Sequence, residues 1–64
     1  MIELTKLNGR SFILNAELIQ TVEATPDTVI TLTNDTKLVV QEKKEEVAQK
    51  VIEYKRKIYG IKNL

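Results

Sequence analysis

Four carboxylates in the first half of the chain are the side chains best suited to general acid–base chemistry: Glu3, Glu17, Glu23 and Asp27. Such chemistry needs two groups held together in a cleft, and no spacing among the four singles out a pair. Asp27 follows Pro26 and is typical of a turn residue that binds its own backbone. The sequence therefore predicts a solvated surface at these positions and no catalytic site.

The composition gives no support to metal or thiol chemistry either. The chain has 0 cysteines and 0 histidines, which removes the usual zinc ligands, thiol nucleophiles and disulfides. Asn8-Gly9 lacks the glycine-rich strand-to-helix surroundings of a phosphate-binding loop. We therefore expect a protein that is not an enzyme and that binds no metal or other cofactor.

A basic cluster near the end of the sequence, Lys55-Arg56-Lys57, is the best candidate for partner binding. Three adjacent bases can contact acidic lipid, RNA or an acidic protein, and they also complement the dipole at a helix end. Tyr54 and Tyr59 flank the cluster, and tyrosine suits an interface because its apolar ring carries one polar tip. Lys55 falls inside an apolar helical arc, where its ammonium either reaches water or faces a partner carboxylate. These five residues form the predicted partner-binding site.

Charge is unevenly distributed, although the net charge is only +1. Residues 1–40 carry three bases and five acids, a net of −2, whereas residues 41–64 carry seven bases and four acids, a net of +3. This balance argues against strong, diffuse binding to nucleic acid.

No apolar run approaches the ~18 residues that span a membrane, and the N-terminus lacks the pattern of a signal peptide. Together with the lack of cysteine, this favours a soluble cytoplasmic protein.

Five short runs with strand character precede one helical segment. Turn residues separate these runs at Asn8-Gly9, Thr25-Pro26-Asp27 and Asn34-Asp35, and Asn15 is placed to cap a single helical turn. The pattern predicts an α+β fold: a small antiparallel sheet of about five short strands, open or rolled into a barrel-like form, with one C-terminal helix. The strands are expected within residues 2–41 and the helix at 43–59, in a single domain covering residues 1–64.

Two-residue loops are predicted for both tight hairpins, because Asn and Gly tolerate the positive φ of a type I′ turn. This sets Thr5 opposite Phe12 in the first hairpin and Ile30 opposite Val39 in the second. Both faces of each hairpin then carry apolar side chains, which is not expected of a sheet with one wet side. The helix, a rolled barrel or a second subunit must cover the remaining face, so we expect a homo-oligomer.

Residues 43–59 have a helical period. Acids lie in the first turns and bases in the last, an order that favours the helix dipole. Gly60 is expected to end the helix in a left-handed conformation. At the helical spacing, the apolar residues fall within one arc of ~160°: Val47, Ala48, Val51, Ile52, Tyr54, Ile58 and Tyr59.

The segment from Met1 to Asn34 resembles the bacterial flagellar FlbD family, also called swarming motility protein D. The resemblance rests on the Thr-Lys-Leu-Asn-Gly turn at 5–9, on Asn15 near the end of the second strand, and on the unbroken Pro-Asp-Thr-Val-Ile-Thr segment at 26–31. It extends over residues 1 to about 58. Family members often have Asn-Gly in the last hairpin, where this chain has Asn34-Asp35.

The resemblance implies a small cytoplasmic protein, encoded among flagellar genes, that supports swarming. It implies a role in helping the flagellar motor to produce enough torque, without catalysis. The implied partners are the flagellar motor or other flagellar proteins, with an association at the flagellar base. No residue role is carried over from the family.

A looser similarity to the carbon storage regulator family of RNA-binding dimers gives the alternative function. It rests on the opening Met-Ile-Glu-Leu-Thr, the five short strands, the terminal helix and Lys43-Lys44-Glu45-Glu46. The glycine-rich and Ala-Pro segments of that family are missing from this sequence. An RNA binder needs bases that converge on one strand edge, whereas the strand region is net acidic. We therefore expect no nucleic-acid partner, and RNA binding is the second hypothesis.

Overall fold

Five strands and one α-helix make up the described part of the chain. The computed structural model describes residues 1–59, excluding the Tyr59 side chain, and each paired strand runs antiparallel to its neighbour. The predicted α+β class, with five short strands and a C-terminal helix, is confirmed. The elements are β1 (Ile2–Thr5), β2 (Ser11–Leu14), a 3₁₀ turn (Ala16–Leu18), β3 (Ile19–Glu23), β4 (Thr28–Leu32), β5 (Lys37–Val40) and α1 (Lys44–Tyr59).

The strands form two sheets that are joined along one side. β1 pairs with β2, and β3, β4 and β5 pair in that order. An isolated bridge between Lys6 and Val40 links the end of β1 to the end of β5, and the Gln41 N–H donates to the Thr5 carbonyl at 2.8 Å. Within residues 1–59, β2 and β3 each have one paired neighbour, so the arrangement does not close into a barrel.

The first hairpin has a three-residue loop, and the predicted register is wrong by one residue. The Lys6 N–H donates to the Arg10 carbonyl at 2.8 Å, and the Gly9 N–H donates to the Lys6 carbonyl at 2.9 Å. Gly9 has a φ of 91°, so glycine occupies the left-handed position that such a loop requires. Leu4 consequently lies opposite Phe12, where a two-residue loop would have placed Thr5.

The second hairpin departs from the prediction in the same way. The Leu32 N–H donates to the Thr36 carbonyl at 2.8 Å, and the Asp35 N–H donates to the Leu32 carbonyl at 2.9 Å. Asp35 takes the left-handed position with a φ of 68°, a conformation that Asp tolerates better than most residues. Ile30 therefore lies opposite Leu38 rather than Val39.

These registers place most apolar side chains of the sheets on one face. Ile2 and Leu4 of β1 share the inner face with Phe12 and Leu14 of β2, whereas Ile13 points outward and is 62 % exposed. The expectation of apolar side chains on both faces is therefore wrong for the first hairpin except at Ile13, whereas Val29 and Val39 lie opposite each other on the outer face of the second hairpin. The buried apolar core consists of Ile2, Leu4, Leu14, Ala16, Ile30, Leu32, Val40 and Val47.

A 3₁₀ turn connects the two edge strands. The Asn15 side chain accepts a hydrogen bond from the Glu17 N–H at 3.0 Å, which confirms the predicted cap. The Thr33 N–H donates to the Leu18 carbonyl at 2.8 Å, so the end of β4 is tied to this turn. Ala16 faces inward and is buried, which anchors the connection to the core.

α1 covers the inner face with only part of its predicted apolar arc. Val47 is fully buried, and Val51 and Tyr54 are half-buried against the core. Ile52 and Ile58 are 42 % and 52 % exposed, because the helix packs mainly against β1 and β3 and the sheets do not reach its full apolar arc. Val47 donates its N–H to the Lys43 carbonyl at 3.0 Å, so Lys43 precedes the helix proper. The predicted stop at Gly60 lies outside the described residues.

Candidate functional site

Glu42 lies where β1, β5 and α1 meet, and its role is structural. Its two carboxylate oxygens accept hydrogen bonds from Thr5, one from the N–H at 2.9 Å and one from the hydroxyl at 2.8 Å. Partial burial works against the charged form, but these bonds and the nearby charge of Lys50 outweigh it and lower the pKa of Glu42. This arrangement fixes the start of the helix against the end of β1.

The four carboxylates considered for acid–base chemistry lie on separate parts of the fold. All four side chains are exposed, as expected. Glu3 is on β1, Glu17 is in the 3₁₀ turn and Glu23 is on β3. Asp27 lies at the β3–β4 turn, where it lines an open polar cleft together with Pro26 and the residues that lead into α1. The described residues therefore do not bring these carboxylates together as a cluster.

The predicted partner-binding residues are divided between two sides of α1. Lys55, Arg56 and Lys57 are all exposed in the last turns of the helix, whereas Tyr54 is half-buried against the core. The Tyr59 side chain lies outside the described residues. Because Lys57 follows Tyr54 by three positions, the two side chains share one side of the helix, and Lys55 and Arg56 project elsewhere.

A shallow groove of about 180 Å³ runs between β1 and this side of α1. Its rim mixes acids and bases, with Glu3 and Glu53 near Lys50 and Lys57. Such a surface suits a polar partner better than an apolar one. We name it the tail groove, and its lining residues are Met1, Ile2, Glu3, Lys50, Glu53, Tyr54 and Lys57.

Lys55 is an outward-facing residue, and its neighbour one turn earlier is the exposed Ile52. Val51, four positions earlier, shares this side of the helix and is half-buried against the core, so the Lys55 stem lies beside the edge of the core. Both interpretations of this lysine stand: its stem lies beside Val51 and Ile52, and its exposed end is open to a partner carboxylate.

A second groove lies between the two tight hairpins and was not predicted. It has a volume of about 390 Å³. The Lys6–Val40 bridge brings the hairpins side by side, and the Gln41 side-chain amide donates to the Leu7 carbonyl at 3.3 Å. We name it the hairpin groove, and its lining residues are Lys6, Leu7, Asn8, Phe12, Lys37, Leu38 and Val39.

Sequence patterns do not predict this groove. Its residues come from two hairpins separated by more than 20 positions, and the β1–β5 contact that joins them has no local signal. The available clue was charge. Lys6 and Lys37 are two of the three bases in residues 1–40, and both line this groove despite the acidic balance of that segment.

The described part of the chain contains no helix that is both long and apolar enough to cross a membrane.

Comparison with known proteins gives one family. Searches of curated proteins and of solved structures find no significant match. A family model described as FlbD, flagellar and swarming motility proteins, matches residues 1–59 of the 64-residue chain. The match includes both turn segments on which the resemblance was based, and it covers all of the strands and the helix. The chain therefore belongs to the FlbD family of flagellar and swarming motility proteins.

Proposed function

We propose that this chain is a non-enzymatic cytoplasmic factor that supports flagellar motor torque through protein contacts. Family membership provides the link to motility. The observation that carries the contact role is the composition of the last turns of α1, where apolar and basic side chains are exposed together. We name the exposed side chains around this end of the helix the helix-end surface, and they are Ile52, Lys55, Arg56, Lys57 and Ile58.

The helix-end surface has the chemistry of a protein interface. Exposed Ile52 and Ile58 supply apolar area that the core leaves uncovered. The three adjacent bases supply a charged rim, which steers association with an acidic partner and improves specificity more than affinity. The surface therefore fits an acidic patch on a flagellar protein, at the base of the flagellum.

Self-association through α1 is part of the same proposal, with Ile52 and Lys55 packed against the second copy and Arg56, Lys57 and Ile58 left to the flagellar partner. Glu45, Ala48, Ile52 and Lys55 are all exposed, and their spacing of three, four and three residues places them along one outward line of the helix. Two copies packed antiparallel along this line bring the acidic start of one helix beside the basic end of the other. Such a contact is isologous and closes as a dimer.

The experiment is complementation of a deletion strain, scored for filament number, swimming speed in viscous medium and swarming. We expect the deletion to leave filaments in place and to reduce swimming speed and swarming. The test variant carries Lys55→Gln, Arg56→Gln and Lys57→Gln. Its matched control carries Arg10→Gln, Lys43→Gln and Lys44→Gln, three exposed bases elsewhere.

Both variants lose three positive charges, so a general charge effect would impair them equally. The proposal requires that the control restores swarming and that the helix-end variant does not, with the same thermal melting curve for both purified proteins. Cells of the deletion strain that lack filaments altogether would place the protein in assembly or gene control and overturn the torque role.

A further inference from the structure

We propose that the hairpin groove binds a short segment of a partner protein in which a large apolar side chain is flanked by carboxylates. The groove is separate from the helix-end surface, since it is built from the two tight hairpins and includes no residue of α1. The proposal therefore adds a second contact surface and does not depend on the role of α1.

The apolar floor of the groove is the first observation. Phe12 and Leu38 are half-buried and pack against the core, so one side of each is held in place. Leu7 and Val39 are 56 % and 37 % exposed at the edges of the same groove. Contiguous exposed apolar surface of this kind is typical of interaction sites, whereas single exposed apolar residues need no explanation.

The groove is held in its shape by backbone contacts. The Lys6–Val40 bridge fixes the two hairpins relative to each other. The Gln41 side chain holds the Leu7 carbonyl, and Gly9 closes the first loop through its bond to the Lys6 carbonyl. A preformed groove lowers the entropy cost of binding, which favours even a short ligand segment.

The charge of the groove defines the ligand. Its described lining residues include two lysines and no carboxylate. The Lys6 ammonium lies 5.6 Å from the centroid of the Phe12 ring, so one positive charge stands directly over the apolar floor. Lys37 supplies the second charge from the other hairpin. A ligand that places an apolar side chain on the floor and carboxylates beside these two lysines satisfies both features.

The composition of the floor favours a protein segment over a nucleic acid. Single-stranded nucleic acid is bound by stacking successive bases on aromatic rings. Here the apolar lining is mostly aliphatic, and its one aromatic ring has the Lys6 ammonium over it. Leucine and valine side chains instead complement an aliphatic or aromatic side chain of a peptide.

The test uses the whole purified protein and a synthetic hexapeptide with two central leucines between two pairs of aspartates. Backbone amide shifts are followed during the titration. We expect the largest shifts at the hairpin groove, at Leu7, Phe12, Leu38 and Val39. Two control peptides carry lysines in place of the aspartates, or serines in place of the leucines, and neither should shift these amides.

Variants of exposed residues test the two parts of the site. Lys37→Glu and Leu7→Ser should each weaken binding of the acidic peptide by about five- to tenfold, because each removes one exposed contact. Arg10→Glu and Ile13→Ser change the same residue classes outside the groove and should leave binding unchanged. Ile13 is a suitable control because it is 62 % exposed.

Several outcomes would overturn the proposal. Equal binding of the acidic and the basic peptide would remove the role of the lysines. Displacement of the peptide by a short RNA at lower concentration would assign the groove to nucleic acid. Groove amide shifts that change on simple dilution, without peptide, would assign it to a second copy of the chain.

Discussion

Thr5 donates two hydrogen bonds to Glu42, and together they join the first strand to the segment that leads into the helix. The Thr5 N–H and hydroxyl donate to different oxygens of one carboxylate, at 2.9 Å and 2.8 Å. The residues are separated by 37 positions along the chain. Bonds to an ionised acceptor are stronger than neutral ones, so the contact holds β1, β5 and the start of α1 together as long as Glu42 is charged.

Stability should depend on the ionisation of Glu42. Its folded pKa lies below its usual value of 4.5, so the folded state binds this proton less readily than the unfolded state. The stabilisation is therefore complete above pH 4.5 and is lost as the pH falls through the lowered value. We expect Glu42→Gln to cost about 1 kcal/mol at pH 7, a reduced figure because the carboxylate is partly solvated. Denaturant unfolding at several pH values measures this.

The control for that measurement is Glu3→Gln, a change of the same group on an exposed strand position. It should alter the free energy of unfolding by no more than about 0.5 kcal/mol. The difference between Glu42→Gln and the unaltered protein should shrink at low pH. A difference that stays constant down to pH 2 would contradict the assigned role of the charge.

The two sides of α1 should respond differently to truncation. Val47→Ala removes two methyl groups from a fully buried site and should cost about 2 kcal/mol of unfolding free energy. Ile52→Ala removes more atoms, but at a position that is 42 % exposed. Measured below the concentration of self-association, it should change the unfolding free energy by less than about 0.5 kcal/mol. Thermal melts of the two variants compare these values directly, and equal losses would show that the helix is rotated relative to its assigned face.

The loop conformations predict opposite effects at two turn positions. Gly9→Ala should cost about 1–2 kcal/mol through backbone strain alone, since the left-handed region disfavours a Cβ and nothing lies within 4 Å of the added atom. Asp35→Gly places glycine at the matching position of the second hairpin and should be neutral to slightly stabilising. Chemical denaturation of both variants is the measurement. A harmless Gly9→Ala would argue against the three-residue loop.

Self-association should be visible by light scattering at micromolar concentration. We expect a mass above the 7.3 kDa of one chain. Ile52→Asp should return the protein to the monomer, because a carboxylate then replaces the large apolar side chain of the outward line of α1. Leu18→Asp is the matched control, since Leu18 is also 42 % exposed but lies in the 3₁₀ turn. A single species near 7.3 kDa for the unaltered protein would refute self-association.

Specific RNA binding should be absent at physiological salt. Residues 1–40 carry a net charge of −2, and only Lys6 and Lys37 among their three bases line one groove. Counterion release requires more clustered bases than this to give tight binding. Titration of a labelled RNA hairpin at several salt concentrations tests the prediction, and a nanomolar complex that resists salt would favour the alternative function.

The fold could be predicted from the sequence, but the turn residues alone did not determine the register. Asn8-Gly9 signals a hairpin, and both a two-residue and a three-residue loop use these residues. The three-residue alternative places Leu4 and Phe12 on one face, so the amphipathic pattern contained the information that loop chemistry lacked. For the second hairpin, Asp35 takes a position where glycine is more usual, which weakens any local signal.

The candidate site was harder to predict from the sequence because it depends on contacts between residues that are far apart in the chain. The basic cluster at 55–57 was visible as a charge pattern, and its exposure agrees with a surface role. The hairpin groove depends on the approach of β1 to β5, and the helix anchor depends on Thr5 reaching Glu42. Neither contact follows from local periodicity, since both join residues more than 30 positions apart. Likewise, the sheets cover only part of the apolar arc of α1, and the helical period does not reveal how wide the sheets are.

The unclosed roll of the two sheets has a consequence for the behaviour of the protein at high concentration. Within residues 1–59, β2 and β3 keep open edges, and open edges invite strand-by-strand growth into aggregates. β2 offers only four residues for such growth, and β3 has an irregular register between Ile19 and Thr21. Fibril-forming segments are typically six or seven residues of regular strand. The short and the distorted edge therefore protect this protein against polymerisation, although the two sheets do not close into a barrel within the described residues.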